Sequence, residues 1–247
     1  MHGSLCALFR AAEQPAAAAS EVAWYEARLP RDAGPLLDAM CGTGNLLAPL
    51  CAAGFNVHGV DVSAAMLERC EARLAGPGDA RLFRQDLADL NLPFRYAAAY
   101  VANGALQSIT DTARARAALS RIRAHLVSPA KLIVDFFVPG EGEQRIAAPL
   151  VEVTTVVLAD GTRIALRSET TMLAEAQLAR TTSRYVHRRG NELLAEESEA
   201  GSYTWYAVDD AVALLNAAGF TGIEIGESPG DARGGTRFSL CARSTAA

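Results

Sequence analysis

From Leu36 onward, short apolar runs alternate with longer stretches whose apolar residues recur every three or four positions. Leu36 to Met40 reads as a short buried strand. A helix follows from about Asn45 to Ala53, ending at Gly54, the residue type that most easily takes the left-handed terminating conformation. The run FNVHGVDV predicts a second strand, and Ser63 caps a helix in which Met66, Leu67, Cys70 and Leu74 keep helical spacing. ARLFRQDL and YAAAYVANG predict a third and a fourth strand. Asp111 opens a helix with Leu119, Ile122 and Leu126 on one face, and AKLIVDFFV is a fifth strand, apolar on both faces. Strands of this kind alternating with helices imply a parallel sheet covered on both sides. Ahead of them, an alanine-rich segment leads into SEVAWYEARL, a helix expected to be capped by Ser20.

After the fifth strand the period changes from helical to twofold. VEVTTVVLA and TRIALRSETTML flank Asp160-Gly161, a strong hairpin signal. ARTTSRYVHRR and GNELLAEESEAG look like a second pair. VDDAVALLNAAGF then restores a helix with Gly219 at its end, and TGIEIGE and TRFSLCAR supply two last strands, antiparallel at the sheet edge. The expected division is an N-terminal helical cap over 1–35, an α/β domain over 36–140 and 203–247, and an antiparallel β layer inserted over 141–202.

With 247 residues, half of them hydrophobic, the chain can build a full core. A net charge of −5 and the absence of a basic stripe argue against nucleic acid as a partner. Lys131 is the only lysine among 23 basic residues, a bias that fits a GC-rich genome better than a phosphate-binding design. Cys6, Cys41, Cys51, Cys70 and Cys241 are scattered and odd in number, giving neither a metal pattern nor a disulfide framework. No metal site, no membrane and a cytoplasmic location are therefore expected. The apolar Met1–Ala19 segment lacks the basic start of a leader and is interrupted by Arg10 and Glu13.

Candidate chemistry gathers at four strand ends. Gly42 and Gly44 follow the first strand where a helix begins, so backbone N–H groups can face a ligand. A dinucleotide G-x-G-x-x-G would need a small residue where Leu47 stands. Asp61 ends the second strand about twenty residues on, where an acid takes two ribose hydroxyls. Glycines plus one acid are equally compatible with turn chemistry. Asp86 at the third strand's end and Asn103-Gly104 at the fourth's shift the balance toward one crevice.

In LLDAMCGTGNLLAPLCAAGFNVHGVDVSAAMLERCEARL, in RQDLADL and in LSRIRAHLVSPAKLIVDFF, the chain resembles the class I S-adenosylmethionine-dependent methyltransferases. The resemblance covers about Glu21 to Val138 and resumes at Tyr203. It implies a doubly wound, Rossmann-like, seven-stranded and mostly parallel sheet that binds S-adenosyl-L-methionine. It further implies that Ala39, Gly42 and Gly44 line the cofactor, that Asp61 holds the ribose, and that Val62 and Met66 flank the adenine. Asp86 and Leu87 would bind the adenine edge, Asn103 would sit near the methionine moiety, and Tyr25 would cover it. VSPAK departs from the family's usual Pro-Gly-Gly turn, away from these positions. The order of pieces is similar to amino-sugar N-methyltransferases and glycine/sarcosine methyltransferases, which implies a small-molecule substrate in secondary metabolism and leaves its identity open.

Methyl transfer from a sulfonium asks the protein mainly to align a nucleophile and exclude water. Candidates for that work are His187 in the inserted layer, Tyr203 and Tyr206 where the insertion rejoins the core, and Gln107, one turn past Asn103. His58 and His125 read as structural, and Cys41 as a small filler. Two other readings keep the cofactor: a reaction other than methylation around the sulfonium, and an inactive binding partner. A homodimer through the insertion is the alternative to its acting as a lid.

Overall fold

The computed structural model describes residues 3–74, 80–229 and 235–244. Two helices, α1 (Ser4–Glu13) and α2 (Ala19–Glu26), precede a seven-stranded sheet. Its strands are β1 (Leu36–Ala39), β2 (Val57–Asp61), β3 (Leu82–Arg84), β4 (Tyr96–Val101), β5 (Leu126–Val138), β10 (Phe220–Gly226) and β11 (Thr236–Ser244). They lie in the order β10-β11-β5-β4-β1-β2-β3. β1 to β5 run parallel, while β11 pairs antiparallel with both β5 and β10. Helices α3 (Leu47–Ala52), α4 (Ala64–Arg73), α5 (Thr112–Ala124) and α7 (Val208–Ala217) connect them. The chain leaves β1 toward β2 and β3, then returns to β4 on β1's other side. That reversal opens a crevice outside the strands' carboxyl ends, the usual ligand position in such sheets.

Local rules explain most helix ends. The Ser63 hydroxyl accepts from Met66 N–H at 3.3 Å, and the Asp111 carboxylate from Arg114 N–H at 2.7 Å. Each satisfies one of the donors that a helix start leaves open. Gly219 closes α7 with φ +88°. Two expectations fail. Helix α2 begins at Ala19 with Ala18 in the cap position and no side-chain cap, so Ser20 lies inside the first turn. Leu126, expected on the α5 face, is instead the first residue of β5, because α5 ends at Ala124.

The inserted residues include a short helix α6 (Glu141–Gln144) and a separate four-stranded antiparallel sheet. Its strands are β6 (Leu150–Val157), β7 (Arg163–Leu173), β8 (Leu178–Arg189) and β9 (Glu192–Thr204), ordered as in the chain. The first hairpin turns as the Asp-Gly pair predicts. Gly161 has φ +79°, and Asp160 accepts from the Thr162 N–H at 3.0 Å and its hydroxyl at 2.6 Å.

Two anchors hold this second sheet to the first. At one end α1 packs between α4 and all four inserted strands. Leu5, Cys6 and Phe9 bury themselves with Met66 on one side and Ile164, Leu166 and Tyr185 on the other. The Glu197 carboxylate of β9 accepts from the N–H groups of Leu5 at 3.1 Å and Cys6 at 3.3 Å, placing negative charge at a helix start where it is favoured. At the other end, β9 touches the single turn Ala105–Ser108 that follows β4. The inserted sheet is thus fastened on the α4 side and on the β4 side of the crevice.

Candidate functional site

Gly42 and Gly44 both have positive φ, +54° and +75°, a conformation that disfavours any side chain. Their surroundings differ. A Cβ on Gly44 would meet Cys70 Sγ at 2.5 Å, whereas one on Gly42 would meet nothing within 4 Å. Gly44 therefore lets the loop close on α4, and Gly42 faces open space. Asp61 joins this loop to the next. Its Oδ2 accepts from Gly42 N–H at 3.0 Å and its Oδ1 from Ser63 N–H at 2.8 Å. A carboxylate has about four acceptor sites, so this half-buried group keeps capacity for a ligand's hydroxyls.

Beside it lies Asp38 on β1, which sequence reasoning passed over as an interior strand residue. It is buried, and that burial raises its carboxyl to about 8. The Tyr100 hydroxyl nearby offsets this only in part, since it forms no well-shaped hydrogen bond. Asp61 pushes in the same direction as burial.

On the other side of β1, Asn103 adopts φ +55° at the end of β4. Its backbone N–H donates to Asp135 Oδ2 at 3.2 Å, and its side-chain amide to Glu21 Oε1 at 3.2 Å. Asp135, at the heart of β5, also accepts from the Tyr25 hydroxyl at 2.5 Å and the Ser239 hydroxyl at 2.6 Å. Burial raises the carboxyls of both Glu21 and Asp135, and the hydrogen bonds each accepts offset part of that rise. Tyr25, expected to cover the crevice, has no exposed surface. It packs against Tyr100 with the rings tilted and their centroids 5.2 Å apart, and serves as a wall. Glu21 was missed because one acid in the first turn of a helix looks like any solvated one. Only its packing beside Asn103 singles it out.

The remaining expected positions fall on the β2–β3 side. Ala39 is fully buried at the end of β1, Val62 is exposed, and Leu87 is buried in the single turn Leu87–Asp89. Met66 is buried under α1. Asp86 accepts from Ala88 N–H at 2.9 Å and pairs with Arg114 at 2.7 Å. Its partial burial favours the neutral form, but these two partners outweigh that and lower the carboxyl.

Two of the four candidates for chemistry, Gln107 and Tyr206, are packed into the fold. Gln107 donates to the carbonyls of Phe137 at 2.7 Å and Thr204 at 2.8 Å, and accepts from Phe137 N–H at 2.7 Å. Its amide is consumed as the clamp between β5 and β9. Tyr206 is buried in the main core, edge-on to Phe136. His187 bonds Thr162 Oγ1 at 2.8 Å near the Asp160 turn of the inserted sheet. Tyr203 is half-buried beside Trp205, and burial raises its hydroxyl. His58 packs among Phe83, Phe94 and Tyr96. His125 bridges Leu92 N–H and the Arg121 carbonyl. The Cys41 thiol is buried against Cys70 and held protonated.

The site as a whole is a crevice with an open glycine at its centre and four acids at its floor and rim: Asp38, Asp61, Asp135 and Glu21. Of the four, only Glu21 has a cation acting on it, Arg237, so the cluster favours a positively charged ligand. The chain's similarities agree with this geometry. The family model of a methyltransferase domain matches residues 36–128. A dTDP-3-amino-3,6-dideoxy-alpha-D-glucopyranose N,N-dimethyltransferase of Streptomyces fradiae is 34% identical over 103 residues, which are 42% of this chain and 39% of that enzyme. The chain's matches thus span less than two-fifths of the length of its curated relatives. A SAM-bound amino pentose methyltransferase from Micromonospora echinaspora, involved in calicheamicin biosynthesis, is 26% identical. The match covers 91% of this chain and 90% of that one with a TM-score of 0.68. A S-adenosylmethionine-dependent methyltransferase from Clostridium acetobutylicum has the same fold at 18% identity, with 97% of both chains covered and a TM-score of 0.74. The chain thus shares the fold of these solved structures, and residues 36–128 match the model of a methyltransferase domain.

Proposed function

We propose that the protein transfers a methyl group from S-adenosyl-L-methionine to an amine-bearing small molecule of the amino-sugar class, in secondary metabolism. The observation that carries this is the acid-rimmed crevice around Gly42, which suits a cationic, ribose-bearing cofactor. The acceptor class is suggested by the Streptomyces and Micromonospora enzymes, which act on amino sugars by their names.

In this reading the absent side chain of Gly42 leaves room for the ligand against the loop, and Asp61, held by two loop N–H groups, accepts from the ribose hydroxyls. Asp86, Leu87 and Val62 form the adenine side, with Met66 behind them under α1. Ala39, Asn103 and Tyr25 wall the methionine side. When bound, the cofactor supplies a methyl group on a positively charged sulfur, which needs little activation by the protein. Asp38 then faces a positive charge and gives up the proton that burial makes it hold, and Asp135 keeps Tyr25 and Asn103 in place. Glu21, oriented by the Asn103 amide, accepts a hydrogen bond from the substrate's amine and can take its proton.

Residues 1–35 act as a helical cap, 36–140 and 203–247 as the cofactor domain, and 141–202 as a roof that excludes water and selects the substrate. Tyr203, on the half-buried part of β9, and His187 are the roof's remaining candidates for contact. A homodimer through the insertion is the competing role, favoured by the exposure of Val151, Val153 and Val157 on edge strand β6. No described helix is long and apolar enough to cross a membrane. With five scattered cysteines in a pattern that gives no disulfide framework, we assign the protein to the cytoplasm.

Calorimetry with S-adenosylmethionine and S-adenosylhomocysteine tests the cofactor. Mass spectrometry of reactions with nucleotide-linked amino sugars tests the chemistry. The expected result is S-adenosylhomocysteine plus a substrate heavier by one methyl. Cofactor consumption without a methylated product would replace this reading with another reaction at the sulfonium. Binding without consumption across amine substrates would indicate an inactive partner.

A further inference from the structure

At the opposite end of the seven-stranded sheet, β5 and β11 bring two cations together. Lys131 and Arg243 occupy directly opposed positions of this antiparallel pair. Like charges so placed destabilise a sheet unless something neutralises them. Arg28, just past α2, adds a third. Its guanidinium lies 3.9 Å over the Trp24 ring and donates to the Trp24 carbonyl at 3.0 Å. The Lys131 ammonium donates to the Arg28 carbonyl at 2.6 Å, which uses one of its three N–H donors. Arg243 is exposed, and its side chain forms no hydrogen bond or ion pair among the described residues.

None of the three cations is ion-paired among the described residues. Glu224, a carboxylate on the neighbouring strand, pairs in register with Cys241 and forms no ion pair with them. The three cations line a groove of about 250 Å³ whose other walls are Leu29, Pro30, Ala97, Pro129 and Ala130. That is roughly eight times the volume of a liquid water. It has room for a phosphate group. The groove carries no acid, so its charge is unbalanced as it stands.

We infer that this groove binds a small phosphate-bearing dianion. Arg28 and Arg243 present planar donors suited to paired phosphate oxygens, and Lys131 contributes a point charge between them. The site lies at the strands' amino ends, so it is separate from the crevice and does not depend on the proposed methyl transfer.

Inorganic pyrophosphate, titrated calorimetrically into the full chain at fixed ionic strength, is the probe. Saturable binding is expected, weakened roughly tenfold or more by Arg243→Gln, the loss of one charge-assisted contact. Lys131→Gln should weaken it similarly. Far-UV circular dichroism and the thermal unfolding midpoint report whether that variant remains folded. If Lys131→Gln misfolds, Arg243→Gln, whose side chain supports nothing else, decides alone. Equal pyrophosphate affinity in wild type and Arg243→Gln would overturn the inference. So would no binding at millimolar pyrophosphate, or an effect reproduced by sodium chloride of matched ionic strength.

Discussion

The parallel sheet's crevice and the inserted sheet above it are built by different means. Around the crevice's glycine loop, the groups sit largely where backbone preference and nearby N–H groups put them. Gly42 and Gly44 take a conformation that other residues resist, Ser63 and Asp111 cap the next helices, and Asp61 is held by two loop N–H groups. In the inserted sheet, position follows from pairing register and from two remote anchors, Gln107 and α1. Local rules fix geometry over a few residues, whereas anchors couple segments about a hundred or more residues apart. The crevice should therefore fail point by point, and the inserted sheet as a unit.

The largest effect tests that contrast directly. Gln107→Ala strips partners from the Phe137 N–H and from the Phe137 and Thr204 carbonyls. At ~1–3 kcal/mol for each buried group left unsatisfied, relaxation should leave a loss of about 3 kcal/mol in denaturant unfolding. Limited proteolysis should then cut within 141–202 first. A loss below about 1 kcal/mol would mean that the anchor lies elsewhere.

Asp61→Ala should weaken S-adenosylmethionine by ~1.5–3 kcal/mol, the value of charge-assisted hydrogen bonds, with the inserted sheet still docked. Unchanged calorimetric affinity would show that the loop's geometry alone holds the cofactor.

Asp38 predicts a pH signature. Its folded carboxyl is raised to about 8, so the native state binds a proton that the unfolded chain releases near pH 4. Stability of the ligand-free protein should accordingly fall as pH rises through that window to about 8, by at most about 1.4 kcal/mol per pH unit. Asp38→Asn should flatten the slope in thermal scans across that range. A slope identical to wild type would assign the protons to Glu21 or Asp135.

The smallest effect belongs to Glu197→Gln. It removes a charge from the start of α1 but keeps an acceptor, so the loss should be about 0.3–1 kcal/mol. Hydrogen exchange at Leu5 and Cys6 should rise while exchange in β1 stays protected. Equal change in both would make α1 part of the core, erasing the distinction between the two regions.

Sequence alone determined the alternation of strands and helices, the glycine loop, the acid at the end of β2 and the Asp160-Gly161 hairpin. Each is written in a few adjacent residues through backbone preference or periodicity. It also picked out Gln107 and Tyr206 but not their surroundings, because chain position does not reveal what a side chain touches. Only tertiary structure decided that Gln107 would be spent on backbone groups 30 and 97 residues away. It likewise decided that Glu21 and Asp38 would join the crevice's acids, and that Lys131 and Arg243 would face each other across β5 and β11. These arrangements depend on which strands become neighbours and in what register, and that choice is made by burial of the whole core.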